Sequence, residues 1–229
     1  MANVQGDRKL VIVGAGEFGA MALEYFQRDS PYEVCGFAVE RQYLPEGGRV
    51  HGLPVVDFTD MECTYPPASH DAFVAVTFVG MNDERQRLHE QCKAKGYTMA
   101  RYQSAKSYID SEATLHPGSF VMECCSIQRN AVVGEGTIVW CGCVIAHGTR
   151  VGDFAWIAPG VSSGGYSTIG SKCFVGVGAS IGDQLTIPEG TLIGAGSVLT
   201  KSLSERESAF AGNPIRKLDQ EVYMRFREG

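Results

Sequence analysis

Residues 109–204 read IDSEAT LHPGSF VMECCS IQRNAV VGEGTI VWCGCV IAHGTR VGDFAW IAPGVS SGGYST IGSKCF VGVGAS IGDQLT IPEGTL IGAGSV LTKSLS, sixteen hexads without an insertion. Fifteen of the sixteen open on Ile, Leu or Val, Ser163 being the exception, and in thirteen the fifth letter is Ala, Ser, Thr or Cys. One large and one small inward residue in every six is the pattern of a parallel β-helix. Three hexads make one triangular coil of about 18 residues, so positions 18 apart stack at roughly the 4.8 Å strand spacing, giving a little over five coils. Glycine recurs at the second letter (Gly134, Gly152, Gly170, Gly176, Gly182, Gly194), which reads as tight corners. Ser162-Ser163-Gly164-Gly165-Tyr166 reads as a locally altered corner, of the kind a ligand approaching the backbone requires.

Upstream of the hexads the pattern changes. Lys9–Val13 is an apolar strand, Gly14-Ala15-Gly16-Glu17-Phe18-Gly19 a glycine turn, and the stretch to about Arg28 a helix with Met21, Leu23 and Phe26 as apolar positions. Strand, glycine turn and helix offer a backbone cradle and a helix N-terminus to a phosphate or diphosphate, or else form a tight packing turn alone. Further strands are expected at Val34–Val39, which ends at Glu40, at Ala72–Val79 and at Tyr97–Tyr102, with a helix from about Asn82 to Lys95. Alternation of this kind implies a small parallel sheet, Rossmann-like, with ligands at the carboxyl ends of its strands. About a hundred residues leave no room for the second half of a dinucleotide fold, so a nucleotide diphosphate suits this sheet better than NAD. The expected divisions are residues 1–106 for this α/β domain, 107–218 for the hexads and 219–229 for a short helix with Val222, Tyr223 and Phe226 on one face, packing across the end of the solenoid.

The formal net charge is −6, and no basic run provides a nucleic-acid footprint. No signal-like pattern or long apolar stretch occurs, which reads as a cytoplasmic chain without a membrane span. The eight cysteines read as free thiols: Cys125, Cys143 and Cys173 take the small inward slot, and Cys141 with Cys143 makes only a C-x-C, short of a zinc site.

These features together resemble the sugar O-acyltransferase family of sialic acid O-acetyltransferases and bacterial nucleotide-aminosugar N-acetyltransferases. The resemblance rests on the glycine turn, Gly80-Met81-Asn82-Asp83-Glu84-Arg85, Ser104-Ala105, the hexads and the closing Ala211-Gly212-Asn213-Pro214-Ile215-Arg216. It implies a left-handed parallel β-helix, a homotrimer, acetyl-CoA or another acyl-CoA as co-substrate, no metal, and a UDP- or dTDP-linked amino sugar as acceptor in bacterial surface-glycan biosynthesis. By the same resemblance His147 is the general base. Trp156, Gly165, Val177, Ala195 and Lys201 are then acyl-CoA contacts, the Gly165 N–H meeting the thioester carbonyl, and Gly14, Gly16, Glu17, Glu40, Arg41 and Asn82 nucleotide-sugar contacts. An imidazole titrates near neutrality and can take the proton of an attacking amine. The family's acidic residue after the histidine is Gly148 here, and Trp140 and Trp156 stand where members carry an asparagine and a second histidine. Those tryptophans serve either packing or a reshaped pocket. By the 18-residue stack Arg129 lies one coil below His147, where a guanidinium would keep the imidazole neutral.

Other readings are sugar O-acetylation, a non-catalytic nucleotide-sugar-binding relative, and an NAD-dependent oxidoreductase resting on Gly14, Gly16, Gly19 and Glu40. A zinc hydratase needs three histidines, whereas the hexads hold only His116 and His147.

Overall fold

The computed structural model describes residues 8–228, so the segment before Arg8, where a signal pattern was sought, and the final Gly229 lie outside the described residues. The chain divides into two compact units, Met1–Thr77 with Arg85–Tyr102, and Phe78–Glu84 with Gln103–Gly229.

The first unit contains β1 (Arg8–Val13), α1 (Glu17–Asp29), β2 (Tyr32–Val39), β3 (Arg49–Val50), β4 (Leu53–Asp57), α2 (Met61–Thr64) and β5 (His70–Val74), followed by α3 (Asp83–Ala94). The strand order is β3-β4-β2-β1-β5. β1 runs parallel to β2 and β5, and β2 to β4. Leu10, Val11, Ile12, Phe37, Ala38 and Phe73 are all buried, so these strands read as continuous apolar runs, as sheets covered on both faces do. β3 pairs antiparallel with β4, an edge hairpin that corrects the all-parallel expectation. The expected strand at Ala72–Val79 ends at Val74, and that at Tyr97–Tyr102 reduces to a bridge between Met99 and Ala72 with a short strand beginning at Tyr102.

The second unit is a left-handed parallel β-helix. Its first face carries Tyr108–Ile109, Ser126–Ile127, Val144–Ile145, Ser162–Ser163, Ser180–Ile181 and Val198–Leu199. The second carries Thr114–Leu115, Val132–Val133, Arg150–Val151, Thr168–Ile169 and Thr186–Ile187, and the third runs from Phe120–Val121 through Trp156–Ile157 to Ala209–Ala211. Residues 18 apart pair in register, as Ile127 with Ile145 and Val133 with Val151. The hexad-opening residues and the small fifth letters form one continuous core from Leu115 to Leu199.

The corners differ from the sequence expectation in where the backbone turns. Left-handed φ values fall at the fourth letter, at every sixth residue from Gly118 to Gly196, including Asn130, Phe154, Tyr166, Lys172 and Gln184. The second-letter glycines answer a different demand, since a Cβ on Gly134 would lie 2.5 Å from the Gly152 carbonyl carbon and one on Gly152 2.5 Å from the Ser171 nitrogen. They are glycines because the next coil passes too close.

Phe78–Glu84 joins the solenoid through its side chains. Phe78 packs on Trp156, Phe174 and Phe226 at ring separations of 5.3, 4.8 and 5.2 Å. Gly80, Met81 and Asn82 are all left-handed, at 63°, 53° and 71°. The C-terminal helix α4 (Gln220–Glu228) places Tyr223 in a buried cluster with Met81, Leu192 and Ala209, so it covers the third face rather than the open end. Arg216–Lys217 pairs antiparallel with Ala209–Ala211, and two cations on that last strand discourage further pairing.

No described helix is long and apolar enough to cross a membrane. All eight cysteines are free, and no described group of side chains could hold a metal. Burial pushes the Cys173 thiol up to about 12, and the hydrogen bond with Cys125, followed by burial, raises Cys143. These inward thiols stay protonated and act as small hydrophobes.

Candidate active site

His147 sits on the corner between the first and second faces, exposed, two residues after the Val144–Ile145 strand. What aims it begins with the break in the apolar row. Along much of the ladder, the residue after a hexad opener donates its N–H to the opener's carbonyl on the next coil, as Gln128 to Ile145 and Gly152 to Ile169. At Ala146 that donor goes to the Ser163 hydroxyl at 3.1 Å instead, and Ser163 is only 6% exposed. A side-chain oxygen thus replaces a ladder carbonyl directly before His147, and the register there is carried by Val144 with Ser162 alone.

Around the ring, Gly165 supplies the floor: a Cβ there would lie 2.6 Å from both Cε1 and Nε2 of His147. Tyr166 meets the imidazole edge-on, centroids 5.1 Å apart and planes at 89°. The His147 N–H donates to Gln128 Oε1 at 3.1 Å, and no described residue hydrogen-bonds either ring nitrogen. Arg129 faces away from this task, because Glu112 binds its guanidinium through Nε at 2.6 Å and Nη2 at 3.1 Å.

The Gly165 N–H donates to Asp183 Oδ1 at 2.7 Å, and the same oxygen would lie 2.5 Å from a Cβ on Gly164, so the carboxylate rests against this pair of glycines. An oxygen of an incoming group would have to take that place. Lys201 is exposed on the same corner, two coils beyond Gly165, while Val177, 55% exposed, and Ala195, also exposed, sit at the corner between the third and first faces. Trp156 is 4% exposed and lies between Phe78 and Trp140 on the third face.

In the first unit, Gly14 has φ 105°, and a Cβ would meet the Ala75 carbonyl oxygen at 2.7 Å. Gly19 would put a Cβ 2.2 Å from the Gly14 oxygen, so it permits helix and turn to touch. Gly16 has open space around it and precedes α1 without a side-chain cap, leaving the helix N-terminus available to an anion. Glu17 is exposed in its first turn. Glu40, at the end of β2, pairs with Arg87 at 3.0 Å, and Arg41 with Asp57 at 2.8 Å. Asn82 lies in the second unit, fully buried, its amide donating to the Lys172 carbonyl at 3.1 Å.

A groove of about 310 Å³ runs along the second face, lined by His116, Arg150, Asp153, Thr168 and Ser171 among others. Neither His147 nor any of the expected acyl-CoA or nucleotide-sugar contacts lines it.

No family model matches the sequence, and no curated protein is similar to it. Among solved structures, the acetyltransferase domain of PglB from Neisseria gonorrhoeae FA1090 in complex with acetyl coenzyme A is 28% identical, covering 93% of this chain and 100% of its own, with a TM-score of 0.82. A histidine-to-asparagine mutant of perosamine N-acetyltransferase from Caulobacter crescentus, in complex with CoA and GDP-perosamine, is 24% identical, with 92% and 97% covered and a TM-score of 0.80. WeeI from Acinetobacter baumannii AYE is 23% identical, with 92% and 100% covered and a TM-score of 0.78. The structural neighbours of this chain are sugar N-acetyltransferases of the hexapeptide-repeat, left-handed β-helix family. The gonococcal domain, which holds acetyl-CoA, carries the likeness beyond fold; the other two, below 25% identity, show the fold.

Sequence reading missed Asp183 and the part Tyr166 plays against the imidazole. The 18-residue stack from His147 through Gly165 to Asp183 was available to find the first. Nothing in the sequence announces that a tyrosine at a left-handed corner lies against a histidine of the preceding coil.

Proposed function

We propose that the protein is an acyl-CoA-dependent N-acyltransferase, acetyl being the expected group, that acts on a nucleotide-linked amino sugar with His147 as general base. One observation carries the reading: an exposed imidazole with no hydrogen-bond partner among the described residues on either ring nitrogen stands over a glycine floor, where the ladder is irregular. The likeness to the gonococcal acetyltransferase domain supports the co-substrate. The glycine turn and open N-terminus of α1 support a diphosphate-bearing acceptor bound by the first unit, with Gly14, Gly16, Glu17, Glu40 and Arg41 as its contacts. The corner position of His147 suits a homotrimer in which a neighbouring solenoid closes the site, with Gly165, Val177, Ala195 and Lys201 along the acyl-CoA.

In the reaction the sugar amine attacks the thioester carbonyl carbon, a C–N bond forms, and the amine proton passes to His147. The C–S bond then breaks, the sulfur leaving as thiolate and taking the proton from the imidazolium. A neutral, unshared ring nitrogen is what the first step needs.

The test is CoA release from acetyl-CoA in the presence of UDP-, dTDP-, CDP- and GDP-linked 4-amino sugars. One of these is expected to give turnover that falls at least a hundredfold in His147→Ala. Undiminished release in that variant would remove His147 as the base, and thermal stabilisation by NAD with none by nucleotide sugars would replace the acceptor class.

A further inference from the structure

Resting on the reading of His147 as base, we infer that Tyr166 is the residue that positions it, standing in for an acidic neighbour, and that Gly148 is the steric counterpart of the Tyr166 ring. The orientation of a catalytic imidazole is commonly held by a carboxylate on its far nitrogen. No such group touches His147 here. Glu112 is committed to Arg129, and Asp183 to the Gly165 N–H.

Tyr166 touches it in two ways. Its N–H donates to the His147 carbonyl at 2.9 Å. Its ring meets the imidazole in an edge-to-face contact at 5.1 Å, a geometry favoured by the aromatic quadrupole. Its backbone has φ 54°, the left-handed value that the fourth letters of this solenoid share. At 66% exposure the ring gains little from burial, so hydrophobic packing does not account for its place.

The ring's position also explains Gly148. A Cβ on Gly148 would lie 2.5 and 2.6 Å from Cδ1 and Cε1 of Tyr166, so no side chain, acidic or other, fits beside His147 while the ring is there. Left-handed backbone alone does not demand the glycine, because Asn130 and Gln184 hold the same fourth-letter position with φ 57°. The same fit recurs at Gly136 beneath the Phe154 ring; at Gly148 the ring fills the space that a carboxylate beside His147 would need.

The test uses the full chain carrying Tyr166→Phe, Tyr166→Gly, Gly148→Asp and the pair Gly148→Asp/Tyr166→Gly. Glycine suits the left-handed corner, which keeps the fold intact. Tyr166→Phe is expected to keep kcat within about threefold, because it keeps the ring. Tyr166→Gly should lose on the order of 10- to 100-fold in kcat through misplacement of the base, with the KM for acetyl-CoA unchanged. Gly148→Asp alone should lose as much, and the double variant should recover at least tenfold over Tyr166→Gly, its new carboxylate having room. The His147 ring resonances should move in Tyr166→Gly and hold in Tyr166→Phe. Wild-type kcat and unmoved resonances in Tyr166→Gly, or a double variant no better than Tyr166→Gly, would overturn the inference. These outcomes are separate from failure of the underlying reading: turnover surviving in His147→Ala removes the base, whereas a dead His147→Ala beside a fully active Tyr166→Gly removes only Tyr166.

Discussion

Trp156 separates the fold from the site, because sequence similarity places it with the acyl-CoA contacts and burial places it in a structural cluster. Its indole is 4% exposed and lies 5.3 Å from the Phe78 ring and 5.4 Å from the Trp140 ring. Truncating such a residue to alanine costs about 3–5 kcal/mol, from the lost transfer energy and the cavity left behind. The aromatic pairs contribute about 0.5–1.5 kcal/mol each within that sum. For a urea slope of about 2 kcal/mol/M, Trp156→Ala should lower the midpoint by about 2 M, while Trp156→Phe, which keeps the ring contacts, should lower it by less than half as much. The chain has two tryptophans, so the one left at Trp140 reports the transition by fluorescence from within the perturbed cluster. The KM for acetyl-CoA in Trp156→Phe should match wild type. A tenfold rise in that KM with an unchanged urea midpoint would refute the placement and return Trp156 to the acyl-CoA site.

Ser163→Ile should regularise the ladder by removing the hydroxyl that Ala146 uses; the unfolding midpoint should hold or rise while kcat falls at least tenfold, and a fully active variant would show that the irregularity does not aim His147. In a thiol titration of the native protein with a chromogenic disulfide, the exposed Cys63 and Cys124 should react first and Cys35 and Cys141 more slowly. Cys92, Cys125, Cys143 and Cys173 should wait for denaturant, and early reaction of Cys173 would contradict its burial. The Asp57 carboxyl is held below its usual range by the Thr59 N–H and then by Arg41. A carboxyl depressed on folding stabilises above its unfolded value and loses that contribution as pH falls. The stability gap between wild type and Asp57→Asn should therefore stay constant from pH 5 to 7 and close below about pH 4, and a gap that widens in acid would reverse the assignment.

The solenoid was legible because its period is a geometric necessity: each coil needs an inward residue at every sixth place, from Leu115 to Leu199. The small sheet was legible from apolar runs that end in a glycine turn. What escaped was set by contacts between residues far apart in sequence. Arg49–Asp57 gives no alternation long enough to announce a hairpin. The strap at Phe78–Glu84 reads like the end of a strand and the start of a helix, but Phe174 and Phe226, far along the chain, decide where it packs. Glycines at the second letter and the fourth look alike in a sequence, yet the first kind yields to a passing backbone and the second to a left-handed turn.

The candidate site follows the same division. His147 and Gly165 could be paired by counting, since one coil separates them. The use made of that pairing could not, because it depends on which side chains fill the corner above and below. Gly165 leaves a gap in the corner column, and that gap receives the imidazole from one side and the Asp183 carboxylate from the other. The Asp183 carboxylate already rests on the Gly165 N–H, the kind of backbone donor that can stabilise a developing negative charge. The lack of a side chain at Gly165 thus leaves both a floor under the His147 imidazole and a backbone donor beside it. A solenoid can build a reactive corner this way without altering its core, because the inward residues on either side, Ile145 and Ile181, keep the regular stack.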